Sequence, residues 1–157
     1  MLSKLIVKQI GNLPEDIRSE LSRTAAEEGF RPIRWLIEDW EEETNRFSLP
    51  GEALYEVRDG NRLVGICGLN RDPFSKREKI GRLRRLYVLP EFRRKGVGRQ
   101  LVLKVIEDAV GQFEFIRLMT LDDRSAQFFE AVGFHAVEGE ERVSHIIAVD
   151  TGDGTIQ

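Results

Sequence analysis

The sequence has few of the residues that would tie a protein to a metal, an oxidising compartment or a membrane. Its 157 residues include one cysteine, Cys67, which excludes an internal disulfide and any zinc site built from several cysteines. No apolar run exceeds four residues, so neither a transmembrane helix nor the apolar centre of a signal peptide is expected. The cytoplasm is therefore the expected compartment.

The charge, composition and length of the chain also limit what kind of protein it can be. The 24 Lys and Arg against 27 Asp and Glu leave a net charge of −3, which argues against a general nucleic-acid binder. The 32% of charged residues accompany 41% of apolar residues, a balance typical of a folded domain rather than a disordered chain. We expect residues 1–150 to form a single domain and residues 151–157 to be a frayed tail.

The hydrophobic periodicity predicts a mixed α/β order without internal repeats. Four helices are predicted. The first begins near Pro14 and ends at Gly29, the second begins near Pro32, and the other two span Val97–Val110 and Ser125–Val132. The predicted strands are Leu5–Ile10, Ala53–Val57, Leu63–Leu69, Ile80–Leu89, Phe113–Leu121 and Val143–Val149. Helices from both ends of the chain can then cover a central sheet.

The segment Leu83–Arg99 carries the chemistry. An apolar strand ends at Pro90, and a basic loop leads through Gly96 and Gly98 into an amphipathic helix. The first N–H groups of a helix lack internal partners and attract anions, and glycines let the backbone approach the anion closely. The basic residues around these glycines are Arg93, Arg94, Lys95 and Arg99. The segment therefore predicts a site for a phosphate or pyrophosphate.

Two common phosphate motifs do not fit this segment. A P-loop needs Gly-Lys-Ser/Thr, which is absent. The dinucleotide fingerprint needs a third glycine after Gly98, and Leu101 stands there instead.

The segment resembles the signature of the GNAT family of N-acetyltransferases. Arg93-x-x-Gly96-x-Gly98 matches the family's Arg/Gln-x-x-Gly-x-Gly/Ala pattern. Residues 86–92 resemble the family's fourth strand and the turn that leaves it, and residues 126–134 resemble its late helix and closing Gly-Phe. The resemblance is strong over residues 65–134, whereas the first 50 residues agree only in element order.

The resemblance implies a fold, a cosubstrate and its binding residues. The implied fold is a mixed, mostly antiparallel sheet flanked by helices on both faces, with a bulge or splay beside the fourth strand. Acetyl-CoA would be the cosubstrate, with no metal. Its pyrophosphate would lie on the backbone of the loop, and its pantetheine arm would pair with Leu86, Tyr87 and Val88. The implied loop residues are Arg93, Arg94, Lys95, Gly96, Val97, Gly98 and Arg99. The implied reaction is direct attack of a primary amine on the acetyl group in a ternary complex.

The sequence departs from the family pattern at the catalytic acid and base. The family often places a Tyr four residues before the glycine of Gly-Phe, and that position is Phe129, which we expect near the cosubstrate but which cannot donate a proton. Water or Ser125 could substitute for the acid, and Asp122 could hold a water or accept a proton; both residues are weak candidates. The stretches that carry a catalytic Glu in some members hold none here, so the base is not identified. We expect a slow enzyme or a different proton donor, because general acid catalysis is typically worth about 10²–10⁴-fold.

The acceptor remains open at this level. A small-molecule amine and a protein or peptide amine both fit, and homodimers are common in the family. Acidic residues surround Trp40 and would attract a cationic amine, although a charged outer face explains them more simply. They are Glu38, Asp39, Glu41, Glu42 and Glu43. The alternatives to an enzyme are an acyl-CoA-binding sensor with little catalysis and, less favoured, a nucleic-acid-binding domain that uses the basic loop.

Overall fold

The computed structural model describes residues 5–149, and the predicted tail at 151–157 lies outside the described residues. Four α-helices are present in this part of the chain: α1 (Glu20–Glu27), α2 (Pro32–Glu41), α3 (Val97–Ala109) and α4 (Asp123–Val132). Seven strands accompany them: β1 (Ile6–Ile10), β2 (Ala53–Asp59), β3 (Arg62–Arg71), β4 (Ile80–Val88), β5 (Phe115–Leu118), β6 (His135–Ala136) and β7 (His145–Ala148).

The strands form one sheet in the order β1-β2-β3-β4-β5-β7-β6. Every neighbouring pair is antiparallel except β4 with β5. The predicted mixed, mostly antiparallel sheet is therefore confirmed. The single parallel pair is joined by a crossover through α3, as parallel strands require.

The central strands are buried on both faces, which explains their nearly continuous apolar sequences. On one face α3 packs so closely that a Cβ built on Gly65 would lie 3.2 Å from Leu101. On the other face a Cβ on Gly68 would lie 2.4 Å from the ring of Phe47, too close for any side chain. Tyr87 is paired with Ile66 on this second face, and it contacts Phe30 and Glu28 at the end of α1. Helices thus flank the sheet on both faces.

The observed elements depart most clearly from the predicted ones at three places. The helix expected from Pro14 to Gly29 is a 3₁₀ turn (Glu15–Arg18) followed by α1, because the hydroxyl of Ser19 donates to the carbonyl of Asp16 and interrupts the helix. The strand expected over Phe113–Leu121 is paired only over β5, since β4 diverges from it. The two-residue strand β6 was not predicted, because its only strand partner is β7.

The divergence of β4 from β5 positions the site. Pairing between these strands is limited to residues 80–82 of β4, so Leu83–Val88 has no strand partner on the β5 side among residues 5–149. On the other side, the register with β3 shifts between Ile66 and Gly68, which face Tyr87 and Arg84. The extra residue on β4 is a β-bulge, and Arg85 has a φ of +61° there. The bulge and splay implied by the resemblance are therefore present.

Candidate functional site

A cleft opens where β4 and β5 separate, and it contains a cavity of about 590 Å³. This volume lies within the usual range for small-molecule sites, about 300–1,000 Å³. Side chains from β4, the β5–α4 segment, α4 and the start of α2 line the cavity. Most are apolar, including Trp35, Leu83, Leu86, Leu118, Phe128 and Phe129. The cleft can therefore enclose a partly apolar ligand alongside the unpaired edge of β4.

The glycine loop lies between the end of β4 and the start of α3. Arg94 and Gly96 have φ values of +62° and +82°, and the Cβ position of Gly96 has no atom within 4 Å. The carbonyl of Gly96 accepts the N–H of Gln100 at 3.0 Å, so Gly96 is the N-cap of α3. The next N–H groups, through Arg99, have no carbonyl one turn earlier to bond. Such a run of amides forms a concave anion site.

The arginine of the predicted signature does not extend into that anion site. The Nε of Arg93 donates to the carbonyl of Val88 at 2.9 Å, and its two terminal nitrogens donate to the carboxylate of Glu28 at 2.9 and 2.7 Å. These hydrogen bonds hold the pKa of Glu28 below its usual value. Arg93 thus fastens the end of α1 to β4. Arg94, Lys95 and Arg99 are exposed around the loop.

The residues predicted to bind the pantetheine arm lie on the unpaired stretch of β4, with different surroundings. Leu86 lines the cavity, whereas the ring of Tyr87 packs under the sheet and its hydroxyl donates to Glu28. Burial and this partner raise the pKa of Tyr87, which makes it an unsuitable proton donor. The carbonyl of Val88 is occupied by Arg93. Val97 is 2% exposed and is a core residue of α3.

Phe129, which the sequence predicts to lie near the cosubstrate, lines the wall of the cavity. Its side chain is 7% exposed and makes edge-to-face contacts with Phe128 and Phe134, at ring-centroid distances of 5.0 and 5.6 Å. Phe128 in turn lies beside Gly98, where an added Cβ would be 3.3 Å from its ring. The aromatic pair therefore connects the glycine loop to the inner wall of the cleft.

Asp122 and Ser125 both line the cavity and are bonded to each other. Asp122 is the N-cap of α4: its carboxylate accepts the backbone N–H of Ser125 at 2.7 Å and its hydroxyl at 2.9 Å. The backbone N–H is the main cause that lowers the pKa of Asp122. A carboxylate stabilised in this way is a weaker base, and the Ser125 proton already has an acceptor.

Three arginines of β4 line the cavity, and sequence reasoning did not place them there. Strand alternation predicts Arg82 and Arg84 on one face and Arg85 on the other. The bulge at Arg85 breaks the alternation, and all three guanidinium-bearing residues border the same cleft. Burial lowers the pKa of each; for Arg85 the value falls to about 10, with the neighbouring charge of Arg84 as the second cause. All three remain cationic at neutral pH.

The acidic residues around Trp40, a candidate site for a cationic amine, do not line this cleft. Glu38 pairs with Arg34 at 3.3 Å, Glu41 pairs with Arg18 at 2.7 Å, and Glu43 borders a different cavity. Asp39 alone reaches toward the cleft, 3.5 Å from Arg85. The acidic residues of α2 therefore form mainly a charged outer face, and the hypothesis that they attract a cationic acceptor loses its support.

The remaining titratable candidates are structural. His145 is 4% exposed, with one ring nitrogen 2.9 Å from Glu130 and the other 2.9 Å from Ser144. These contacts and the surrounding apolar strand are typical of a buried histidine with a structural role. Cys67 is fully buried, which raises the pKa of its thiol and makes it a poor nucleophile. No helix within residues 5–149 is long and apolar enough to cross a membrane.

Comparison with known sequences identifies the class of protein. The acetyltransferase (GNAT) family model matches residues 15–134, which is most of the chain. The chain therefore belongs to the GNAT family of acetyltransferases.

Individual relatives share only about a fifth to a third of their residues with this chain over the matched regions. The chain is 31% identical over 78 residues to an uncharacterised N-acetyltransferase of Archaeoglobus fulgidus, a match that spans only about half of that relative, 48% of its length. A candidate acetyltransferase from Exiguobacterium sp. 255-15 has a TM-score of 0.77 at 23% identity, over 93% of this chain and 94% of the other. An acetyltransferase of the GNAT family from Staphylococcus aureus Mu50 has a TM-score of 0.67 at 20% identity, over 92% and 100%. These structures share the fold.

Proposed function

We propose that the protein is an N-acetyltransferase that moves an acetyl group from acetyl-CoA to a primary amine. The observation that carries the proposal is the arrangement of three neighbouring features. The open amides at the start of α3 follow the unpaired edge of β4 at Leu86, and Phe128 lies beside Gly98 and lines the cavity together with Phe129. A phosphate-bearing, extended thioester fits these three features in that order.

The chain offers a separate group for each part of acetyl-CoA. The amides from Arg94 to Arg99 would hold the pyrophosphate, with the charges of Arg94, Lys95 and Arg99 around it. The free N–H and C=O groups of β4 would pair with the amides of the pantetheine arm, as a neighbouring strand does. Leu86 and Phe129 would enclose the thioester and exclude water. Arg93 contributes indirectly, because its bonds to Val88 and Glu28 hold the end of β4 in place.

The bound cosubstrate supplies an activated acetyl thioester. In the transfer, the acceptor nitrogen forms a bond to the carbonyl carbon, the carbon–sulfur bond breaks, and the nitrogen loses one proton. The departing thiolate of CoA takes up that proton through water, because the free thiol has a pKa of about 8.5 and is only moderately basic. The transfer therefore balances without a dedicated acid or base.

A sensor that binds acyl-CoA with little turnover is the second candidate. The cavity lining contains a single carboxylate within the described residues, Asp122, and Ser125 occupies both of its oxygens. Phe129 has no proton to donate. These two observations favour slow chemistry but leave the cosubstrate site unaffected.

Calorimetric titration with acetyl-CoA tests the proposal, with dephospho-CoA and ATP as comparison ligands. We expect roughly micromolar binding of acetyl-CoA. Release of the CoA thiol in the presence of an amine panel then separates an enzyme from a sensor. Absence of binding up to about a millimolar, or −4 kcal/mol, would refute both candidates.

Replacement of Phe129 by tyrosine is expected to accelerate the transfer. The new hydroxyl would lie at the cavity wall, where it can protonate the departing thiolate, and a positioned acid is typically worth at least about 10²-fold in an evolved site. For this added acid we expect about a tenfold rise in kcat, measured by thiol release. Phe74→Tyr adds the same group at the exposed rim of the cavity and is the control. An unchanged kcat in a folded Phe129→Tyr variant would mean that thiolate protonation does not limit the rate.

A further inference from the structure

The charge of the β4–β5 cavity is unbalanced. Its lining contains four arginines, Arg82, Arg84, Arg85 and Arg124, against one acid, Asp122. A second cavity of about 680 Å³, on the other side of Arg84, has five basic and four acidic residues in its lining. A mixed lining is ordinary for a protein surface, whereas an excess of cations inside a largely apolar cleft is costly without an anion.

Arg82 is accounted for by the protein itself. Its guanidinium lies 3.5 Å from the carboxylate of Asp72, donates to the carbonyl of Arg142 and stacks on the ring of Phe74 at 4.8 Å. Its side chain is 7% exposed. Arg82 therefore has a structural role and is not free for a ligand.

Arg85 is only partly satisfied. Its side chain is 8% exposed and lies over the ring of Trp35 at 5.7 Å, and one terminal nitrogen is 3.5 Å from Asp39. Its Nε is buried and has no hydrogen-bond partner in the described part of the chain. Nearly all buried polar atoms in proteins are hydrogen-bonded, so an orphaned donor in a binding cleft points to a missing acceptor.

Arg84 is half-buried and has no partner. Within residues 5–149, no side chain or carbonyl makes a hydrogen bond or ion pair with its guanidinium. Asp39, Asp72 and Glu52 act on it only at longer range. The bulge places this cation beside Arg85 and two residues before Leu86, on the stretch of β4 proposed to hold the thioester.

We propose that the cleft binds a substrate that carries a carboxylate, which Arg84 and Arg85 hold beside the thioester. A carboxylate accepts two N–H donors at once and matches the planar guanidinium group. The apolar lining indicates that the rest of this substrate has an apolar body. The carboxylate belongs either to the acceptor, as in an amino acid, or to the far end of the acyl chain, as in a succinyl group. The inference rests on the proposed acyltransfer.

Matched substrate pairs test this inference and separate the two sources. Phenylalanine and phenethylamine differ only by the carboxylate, and the same holds for leucine and 3-methylbutylamine. Succinyl-CoA and butyryl-CoA have the same four acyl carbons and differ by the terminal charge. We expect kcat/KM to favour the carboxylate-bearing member of one series, which identifies whether the acceptor or the acyl group carries it.

The variant Arg84→Gln should remove this preference. A hydrogen-bonded charge contact corresponds to a loss of about 10- to 100-fold in kcat/KM for the carboxylate-bearing substrate, with less than about a threefold change for its uncharged partner. Arg84→Lys should retain part of the preference. Arg34→Gln, which removes an exposed arginine of α2, should change neither. Because no residue within 5–149 bonds to the guanidinium of Arg84, we expect the glutamine variant to fold.

The outcomes distinguish this inference from the proposed function. Equal use of both members of every pair, or a preference that survives Arg84→Gln, overturns the inference while acyltransfer stands. If there is no turnover, the calorimetric affinities of succinyl-CoA and butyryl-CoA decide for the acyl source, since only the former should weaken in the variant. Failure of wild type to bind any CoA ester refutes the proposed function instead.

Discussion

Aspartate in place of Gly98 is expected to weaken the binding of CoA by about 100-fold or more, equivalent to roughly 2.7 kcal/mol. Gly98 is the second residue of α3, among the amides proposed to hold the pyrophosphate. A carboxylate there would occupy those amides and repel the phosphates. The helix itself should persist, because an acidic residue in the first turn interacts favourably with the helix dipole. Calorimetric titration of the variant with CoA measures the effect.

Gly98→Ala is the matched control for the backbone and the added Cβ. That Cβ would lie 3.3 Å from the ring of Phe128, a contact that a small shift of the ring relieves. The family pattern also accepts alanine at this position. The alanine variant should therefore bind CoA within about threefold of wild type, a difference under roughly 0.7 kcal/mol. If Gly98→Asp bound equally well, the pyrophosphate would have to lie away from the start of α3.

Removal of the Asp72 carboxylate is expected to lower the free energy of unfolding by about 3–5 kcal/mol, a larger loss than in any of the other variants. The side chain of Asp72 is fully buried between two arginines, 2.7 Å from Arg117 and 3.5 Å from Arg82. Its other oxygen accepts the backbone N–H of Phe74 at 2.8 Å. Asp72→Ala would leave the largely buried charges of Arg82 and Arg117 without this carboxylate. Arg117 would keep its exposed partner Glu140.

Urea unfolding measures this loss, and two variants dissect it. Asp72→Asn keeps an acceptor for Phe74 but removes the charge, so it should recover only the smaller, hydrogen-bond part of the loss, about 1 kcal/mol. Glu140→Gln removes the exposed partner of Arg117 and should cost less than about 1 kcal/mol. An Asp72→Ala variant as stable as Glu140→Gln would contradict the view that Asp72 neutralises the buried charges of Arg82 and Arg117.

The sequence by itself determined the local parts of the site. A strand, a basic loop, two glycines and an amphipathic helix are contiguous in residues 83–109, so their order and spacing were readable without the fold. The same holds for α4 and the position of Phe129 on it. These features depend on periodicity, helix-terminal amides and glycine conformation, all of which are set within a few residues.

Only the tertiary structure decided what faces the cleft. The bulge at Arg85 depends on the register between β3 and β4, and it reversed the predicted separation of Arg84 from Arg85. The ion pair of Arg93 with Glu28 joins residues that are 65 positions apart in the chain. It engages the guanidinium group that the sequence implied for cosubstrate binding. Strand register and long-range ion pairs are settled by packing between distant segments, and no local pattern in one sequence encodes them. For that reason the glycine loop and the helix that follows it were predictable from the sequence, while the positive charge of the cleft was visible only in the fold.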